Sequence, residues 1–287
     1  MWFVVATSLF DLFSKNIEGL SYSIVPGGGV GNPIAIGRKD GMFAMGYNTN
    51  LHAAYRGLDP FEEEIKDIRG ILNTNVSAVM HIFALESANI NSLKQIAEEQ
   101  IGIKIDTGSL GTGGELAAKR ILEAYGITYE KIKQWGGSVT HSSYNEALDR
   151  LKDGHINMFS NDDIIGAANY VELTSARSVK VLSIDDEIRE EMFTKYGYAP
   201  TTIPAGSYKG QDAEVQSTAQ AHVVFCHIDA PEDLVYLMTK LVFEKKDDLV
   251  AVHSYFEALD PKEGPKNWPI PLHPGAEKYY KEIGVLK

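Results

Sequence analysis

The sequence predicts an α/β protein of two lobes built on parallel sheets. Strand-like and helix-like hydrophobic patterns alternate along most of the chain. The alternation falls into two blocks, roughly 20–90 and 100–205, and 215–287 returns to the first. A chain of 287 residues is long for one core and comfortable for two. The lobes are therefore placed at 1–92, 93–211 and 212–287, the last segment rejoining the first.

The opening "MWFVVATSLFDLFSKNIEGL" reads as a helix, because Phe3, Ala6, Phe10, Phe13 and Ile17 recur at three- and four-residue steps. It is not a signal peptide: it lacks a basic start and a small-x-small cleavage site, and Asp11 interrupts the apolar run. Met1 is thus expected to begin inside the mature fold. "LSYSIVPGGGVGNP" reads as a strand entering a glycine loop, followed by a short helix near Ile34–Arg38. A strand near Met42–Gly46, a helix near Leu51–Tyr55 and a surface helix over "DPFEEEIKD" come next. "SAVMHIFAL" is a buried strand, and "NINSLKQIAEEQ" a helix capped by Asn91 or Ser92.

From 101 the rhythm restarts. A strand over 102–106 leads through "TGSLGTGG" into a helix ending near Tyr125. In "SYNEALDRLKDG", Tyr144, Ala147, Leu148 and Leu151 share one face and Gly154 ends the helix. "INMFS" is a strand, "DDIIGAANYVEL" a helix, "VKVLSI" a strand and "DDEIREEMFTKYG" a helix. "TTIPAGSYKGQDAEVQST" reads as an irregular connection and "AQAHVVFCHI" as a strand. "APEDLVYLMTKLVFEKKDDL" is a long helix with Pro231, Glu232 and Asp233 in its first turn. "PLHPGAEKYYKEIG" is a short terminal one.

Composition narrows the function. At 44% apolar and 23% charged the chain is an ordinary globular one. A net charge of -12 without a Lys/Arg-rich run argues for no nucleic acid partner, which would need a basic face. No apolar run approaches the roughly eighteen residues of a span, so no direct membrane insertion is expected. The lone Cys226 excludes an intramolecular disulfide.

The strongest candidate site is "IDTGSLGTGGELAAKR". Gly108, Gly111, Gly113 and Gly114 let the backbone approach an anion closely, Ser109 and Thr112 add hydroxyls, and a helix start adds its dipole. The spacing matches neither the dinucleotide fingerprint nor the P-loop, since Leu116 holds the last glycine position and no Lys-Ser/Thr follows Gly114. A plain glycine turn joining strand to helix remains the alternative. "PGGGVGNP", with Asn32 before Pro33, is a second such loop. Tyr47, Asn48 and Thr49, at a strand end entering a helix, read equally as ligand contacts or as caps.

His222 and Cys226 lack partners at zinc spacing, so they read as core residues and no metal is expected. Cys226 lies in an apolar run without a turn to expose it as a nucleophile. Neither G-x-S-x-G nor H-E-x-x-H occurs. Asp162 and Asp163 read as caps in a helix's first turn rather than an acid/base pair. No catalytic residue is assigned.

The stretches "VPGGGVGNP", "GYNTNLHAAYRG", "GSLGTGGELAAKRILEAYGI", "IPAGSYKGQDAEVQST" and "PIPLHPGAEKYYKEIG" occur in order across nearly the whole chain. Together they resemble the TAXI family, the solute receptors of TRAP-type transporters. The resemblance implies a type II periplasmic-binding-protein fold, two α/β lobes with a ligand cleft between them. It implies a periplasmic or extracytoplasmic receptor, not an enzyme and with no cofactor, that captures a small organic acid such as glutamate or a dicarboxylate. The partners implied are TRAP-type membrane transporter subunits.

Carried over by position, the ligand contacts are Gly108, Ser109, Gly111, Thr112 and Gly113, with Tyr47, Asn48, Thr49 and Tyr208. The stretches Trp135 to Ser138 and Ser160 to Asp162, read as lying at strand ends facing the same cleft, add Trp135, Ser138 and Ser160 to them. Family members begin with a signal sequence, a strand and a glycine-rich loop, and "MWFVVAT" aligns with the middle of that motif. "NDDIIGAAN" is more acidic than the family's usual stretch, which leaves the ligand's charge open. The competing reading is an enzyme on the same two-lobed frame, acting on a phosphorylated or carboxylated metabolite and needing an acid/base residue such as Asp162.

Overall fold

The computed structural model describes residues 2–266 and 268–287. In chain order the elements are α1 (Trp2–Asn16), α2 (Gly31–Gly37), β1 (Phe43–Tyr47), α3 (Asn48–Arg56), β2 (Ile68–Leu85), α4 (Leu93–Glu99), β3 (Lys104–Asp106) and α5 (Gly113–Ala124). Then follow α6 (Tyr129–Gln134), β4 (Ser138–Thr140), α7 (Tyr144–Asp153), β5 (Met158–Asp163), α8 (Ala168–Ala176), β6 (Val179–Val181) and α9 (Asp186–Tyr196). The chain closes with β7 (Ala199–Ile203), β8 (Val215–His227), α10 (Glu232–Glu244), α11 (Lys246–Val252) and α12 (Pro274–Glu282).

The chain forms two compact units, one of residues up to Val76 with 221–287, the other of Ser77–Gln220. The sequence placed the limits at 92/93 and 211/212; the units change over within β2 and β8.

In unit one the strands run in the order β1-β8-β2, with Phe43 opposite Cys226 and Tyr47 opposite His222 in an antiparallel pair. Alternation along β8 sends Val224 and Cys226 into one apolar cluster and Val223 and Phe225 into another. The first holds Val5, Leu9, Leu12 and Phe13 of α1 with Val235, Met238 and Val242 of α10 and Tyr279 and Tyr280 of α12. α12 comes so near α10 that a Cβ on Gly275 would stand 2.2 Å from the Glu232 carbonyl oxygen. His273 caps α12, its Nδ1 accepting from the Gly275 amide at 3.2 Å. The "LHPG" motif is therefore a helix start built for close helix packing.

In unit two the order is β2-β5-β3-β4, with β6 on β2 and β7 on β8. Met80, Ile82 and Ala84 of β2 face one cluster and Val79, Phe83 and Leu85 the other, so both faces are covered. β3 runs parallel to β4 and β5, while β2–β5, β2–β6 and β7–β8 are antiparallel, so the strands are mixed rather than all parallel. Ser92 caps α4 through the Gln95 amide, and Gly154 ends α7 at φ 78.

Several expectations change. α1 exists, but its sealed residues are Val5, Leu9, Leu12 and Phe13, while Phe3 is 63% exposed. The expected opening of that helix at Met1 lies outside the described residues. Residues 20–28 are not a strand: the segment has no ladder, and Val25 is 72% exposed. "DPFEEEIKD" is a set of turns rather than a helix, after Gly57 caps α3 at φ 62 and the Ile65 amide folds back onto Ala54 O. Residues 199–203 are a strand, paired with β8. Asp162 and Asp163 belong to β5, not to a helix cap.

Candidate functional site

The glycine loop of unit two leaves the carboxyl end of β3 and enters the twelve-residue α5. Thr112 is the N-cap, its Oγ1 accepting from the Glu115 amide at 3.3 Å. Gly108 and Gly111 turn the chain at φ +81 and +78, which side chains rarely tolerate.

Beneath the loop sits Asp106, with 0% exposure. Its carboxylate accepts from the Gly108 amide at 2.9 Å, Thr140 Oγ1 at 2.7 Å, the Ser142 amide at 3.2 Å and Arg150 Nη1 at 3.2 Å. Arg150 also donates to Ser142 Oγ at 2.9 Å.

Asn161 of β5 clamps the loop from its other side, donating from Nδ2 to Thr107 O at 3.0 Å. A Cβ on Gly108 would stand 2.3 Å from that Nδ2, and one on Gly114 would stand 2.2 Å from Asn161 Oδ1 and 2.4 Å from Asp162 Oδ1. At these two glycines the space of a Cβ is taken by protein side chains. Gly111 differs: nothing lies within 4 Å of its missing Cβ.

The loop's hydroxyls are engaged as well. Ser109 Oγ donates to Ser142 O at 3.2 Å and Thr112 Oγ1 to Ser109 O at 2.8 Å. Among the described residues, the amides of Gly111, Gly113 and Gly114 have no acceptor, as expected of a helix's first turn. Beside them His141 Nδ1 meets Thr107 Oγ1 at 3.1 Å, and Tyr129 OH donates to Glu115 Oε1 at 2.8 Å.

The other expected contacts in unit two lie elsewhere. β3 and β4 run parallel with Ser138 opposite Lys104 and Thr140 opposite Asp106, so Ser138 stands at the start of β3, away from its loop. Trp135 packs there too, its carbonyl 2.2 Å from where a Gly102 Cβ would be. Ser160 is buried and donates to Met80 Sδ at 3.5 Å. Tyr208 is buried in a relay: the Gly166 amide donates to its oxygen at 3.0 Å, its O–H donates to His81 Nε2 at 2.7 Å, and His81 Nδ1 donates to Val79 O at 2.8 Å. Burial pushes the His81 pKa down to about 4 and keeps the ring neutral.

In unit one Tyr47 is the backbone N-cap of α3, and its ring centroid lies 5.1 Å from that of His222. Asn48 Oδ1 accepts from the Ala221 amide at 2.8 Å, and Thr49 is fully buried. The glycine loop over 26–33 is closed by Asn32, which accepts from the Gly28 amide at 3.1 Å and donates to Met45 O at 2.8 Å.

Cys226 and His222 are core residues of β8: burial pushes the thiol up to about 12 and the imidazole down to about 4. Among the described residues no three His, Cys, Asp or Glu side chains group to hold a metal, and no helix is long and apolar enough to cross a membrane.

Sequence reading missed Asp106, Ser142 and Arg150, and placed Asn161 only within the strand-end stretch 160–162. The signal available was Asp106 before "TG", where an aspartate bonds the amide two residues on. Its bonds to residues 140–150 were invisible.

This architecture is that of the two-lobed periplasmic binding proteins. Periplasmic binding protein BugD aligns over 98% of this chain and 89% of its own at 15% identity and TM-score 0.55. PhnD1 from Prochlorococcus marinus, in complex with methylphosphonate, aligns over 97% and 90% at 13% identity and TM-score 0.57. MatC from Rhodopseudomonas palustris, with bound malate, aligns over 99% and 93% at 15% identity and TM-score 0.55. The chain itself belongs to the NMT1-like family, whose model matches residues 1–284.

Proposed function

We propose that this protein is an extracytoplasmic solute receptor of the TAXI type, which captures a small organic acid and delivers it to TRAP-type membrane subunits without chemical change. The observation that carries the reading is the run of amides at Gly111, Gly113 and Gly114, lacking acceptors among the described residues at the start of α5. Backbone donors at a helix N-terminus suit a carboxylate. Two proteins of the same fold hold small anions, malate and methylphosphonate.

A helix terminus contributes about 0.3–1 kcal/mol, ~2 when partly buried. Micromolar affinity is about 8 kcal/mol, so the loop orients the acid and other contacts supply most of the affinity. A thermal-shift series with L-glutamate, malate and other dicarboxylates tests this. At a hundredfold excess over Kd the stabilisation is about 2.7 kcal/mol, a rise in Tm on the order of 5 °C. No shift with any organic acid overturns the solute class. Uptake by TRAP subunits in proteoliposomes that is indifferent to this protein overturns the partnership.

A further inference from the structure

We infer that Asp106 is a positioning residue, a buried carboxylate that sets the solute loop before any solute arrives. The inference rests on the receptor reading for its functional arm and on geometry alone for its structural arm. A loop with Gly108, Gly111, Gly113 and Gly114 among its residues is costly to order, because glycine has the most backbone freedom to lose. Left unanchored, it would charge that cost to solute binding.

Asp106 removes the cost. Its sealed carboxylate takes the Gly108 amide inside the loop, Thr140 Oγ1 and the Ser142 amide at the exit of β4, and Arg150 Nη1 from α7. Three segments are thereby pinned to one group, by hydrogen bonds strengthened by its charge. Ser109 Oγ, donating to Ser142 O at 3.2 Å, ties the loop to the same β4 exit.

Arg150 answers a second problem. A lone carboxylate under an anion-binding loop would repel the solute, and the guanidinium opposite offsets its charge. The Arg150 side chain is 28% exposed, so losing Asp106 does not strand a charge away from water. Asp106→Asn, matched in shape, should therefore fold.

Charge and position predict opposite signs. If Asp106 acted only through its field, Asp106→Asn would tighten the binding of an acid. As a brace it must loosen it, since the amide keeps one accepting oxygen for donors that now face two.

The test is amide hydrogen exchange of the full chain by NMR, at Gly108 and Ser142, with the β-ladder amides of Ile105 and Phe159 as reference. In Asp106→Asn we expect exchange about tenfold faster at one or both of the first pair and unchanged at the reference. Unchanged exchange at Gly108 and Ser142, or equal acceleration everywhere, overturns the inference. Should that variant not fold, Arg150→Gln gives the same reading, with acceleration at Ser142.

Calorimetric titration with L-glutamate forms the second arm. Given wild-type binding, Asp106→Asn should bind about tenfold more weakly; equal or tighter binding overturns the brace. Absence of wild-type binding counts against the solute class, and the exchange arm still decides the brace.

Discussion

Two glycine loops, one in each unit, solve the same local problem with different chemistry. In "PGGGVGNP" the Asn32 side chain fills the space beside Gly27, where a Cβ would stand 1.8 Å from Oδ1, and ties the loop to Met45 O. In "TGSLGTGG" Asn161 does the same beside Gly108 and Gly114 and ties the loop, through Thr107 O, to β5. Both are amide clamps. Only the second adds a buried charge, Asp106, with the positive end of a twelve-residue helix; α2, after the first loop, has seven residues. Glycine content is therefore a weak sign of a site, and the charged hub distinguishes the loop proposed to take an anion.

Burial keeps the imidazoles of His222 in unit one and His81 in unit two neutral, and the pair differ in wiring. Thr74 Oγ1 donates to His222 O, Tyr255 OH donates to Thr74, and His222 Nδ1 donates to Tyr255. His81 instead accepts, at Nε2, from Tyr208. Protonating His81 takes away the acceptor that Tyr208 uses.

The largest expected effect follows from this. Burial holds both histidines at about 4, below the usual value of about 6.5. As pH falls from about 6.5 to 4 the unfolded chain gains protons that the folded one refuses, so stability is full above that window and declines through it. The decline is on the order of 3 kcal/mol per histidine. His81→Gln, which keeps an acceptor for Tyr208, should flatten much of the slope in urea titrations from pH 4 to 7; an unchanged slope breaks the account.

Next comes Gly108→Ala, which meets both the positive φ and the Asn161 amide, at about 2–3 kcal/mol by urea unfolding. Asn161→Ala should cost about 2 kcal/mol by leaving the Thr107 carbonyl unpaired, and Asn32→Ala, at a half-exposed site, about 1 kcal/mol. Equal costs would erase the contrast between the loops. The smallest effect is Gly111→Ala, with only its φ of +78 to oppose it, at about 1 kcal/mol. If it costs as much as Gly108→Ala, the open space at Gly111 is not real.

How far the sequence reaches is clear from particular residues. "DTGSLGTGG" announced a strand-to-helix turn, and its glycines marked where backbone or side chains come close. It did not say that Asn161 would occupy two of those spaces, because Asn161 arrives from a strand some fifty positions on. Tyr208, expected at the ligand, is a buried relay because His81, far back in the chain, needs its proton.

The sequence alone determined the elements whose causes are local: α7 from its apolar face and Gly154, α4 from Ser92, α12 from "HPG". Tertiary structure decided whatever needed a partner. Residues 20–28 found no strand to pair with and stayed irregular, 199–203 found β8 and became one, and β5 ran on through Asp163 because β2 paired with it. Period and capping are written within a few residues, whereas a ladder or a buried carboxylate is stabilised only by groups that folding brings from elsewhere.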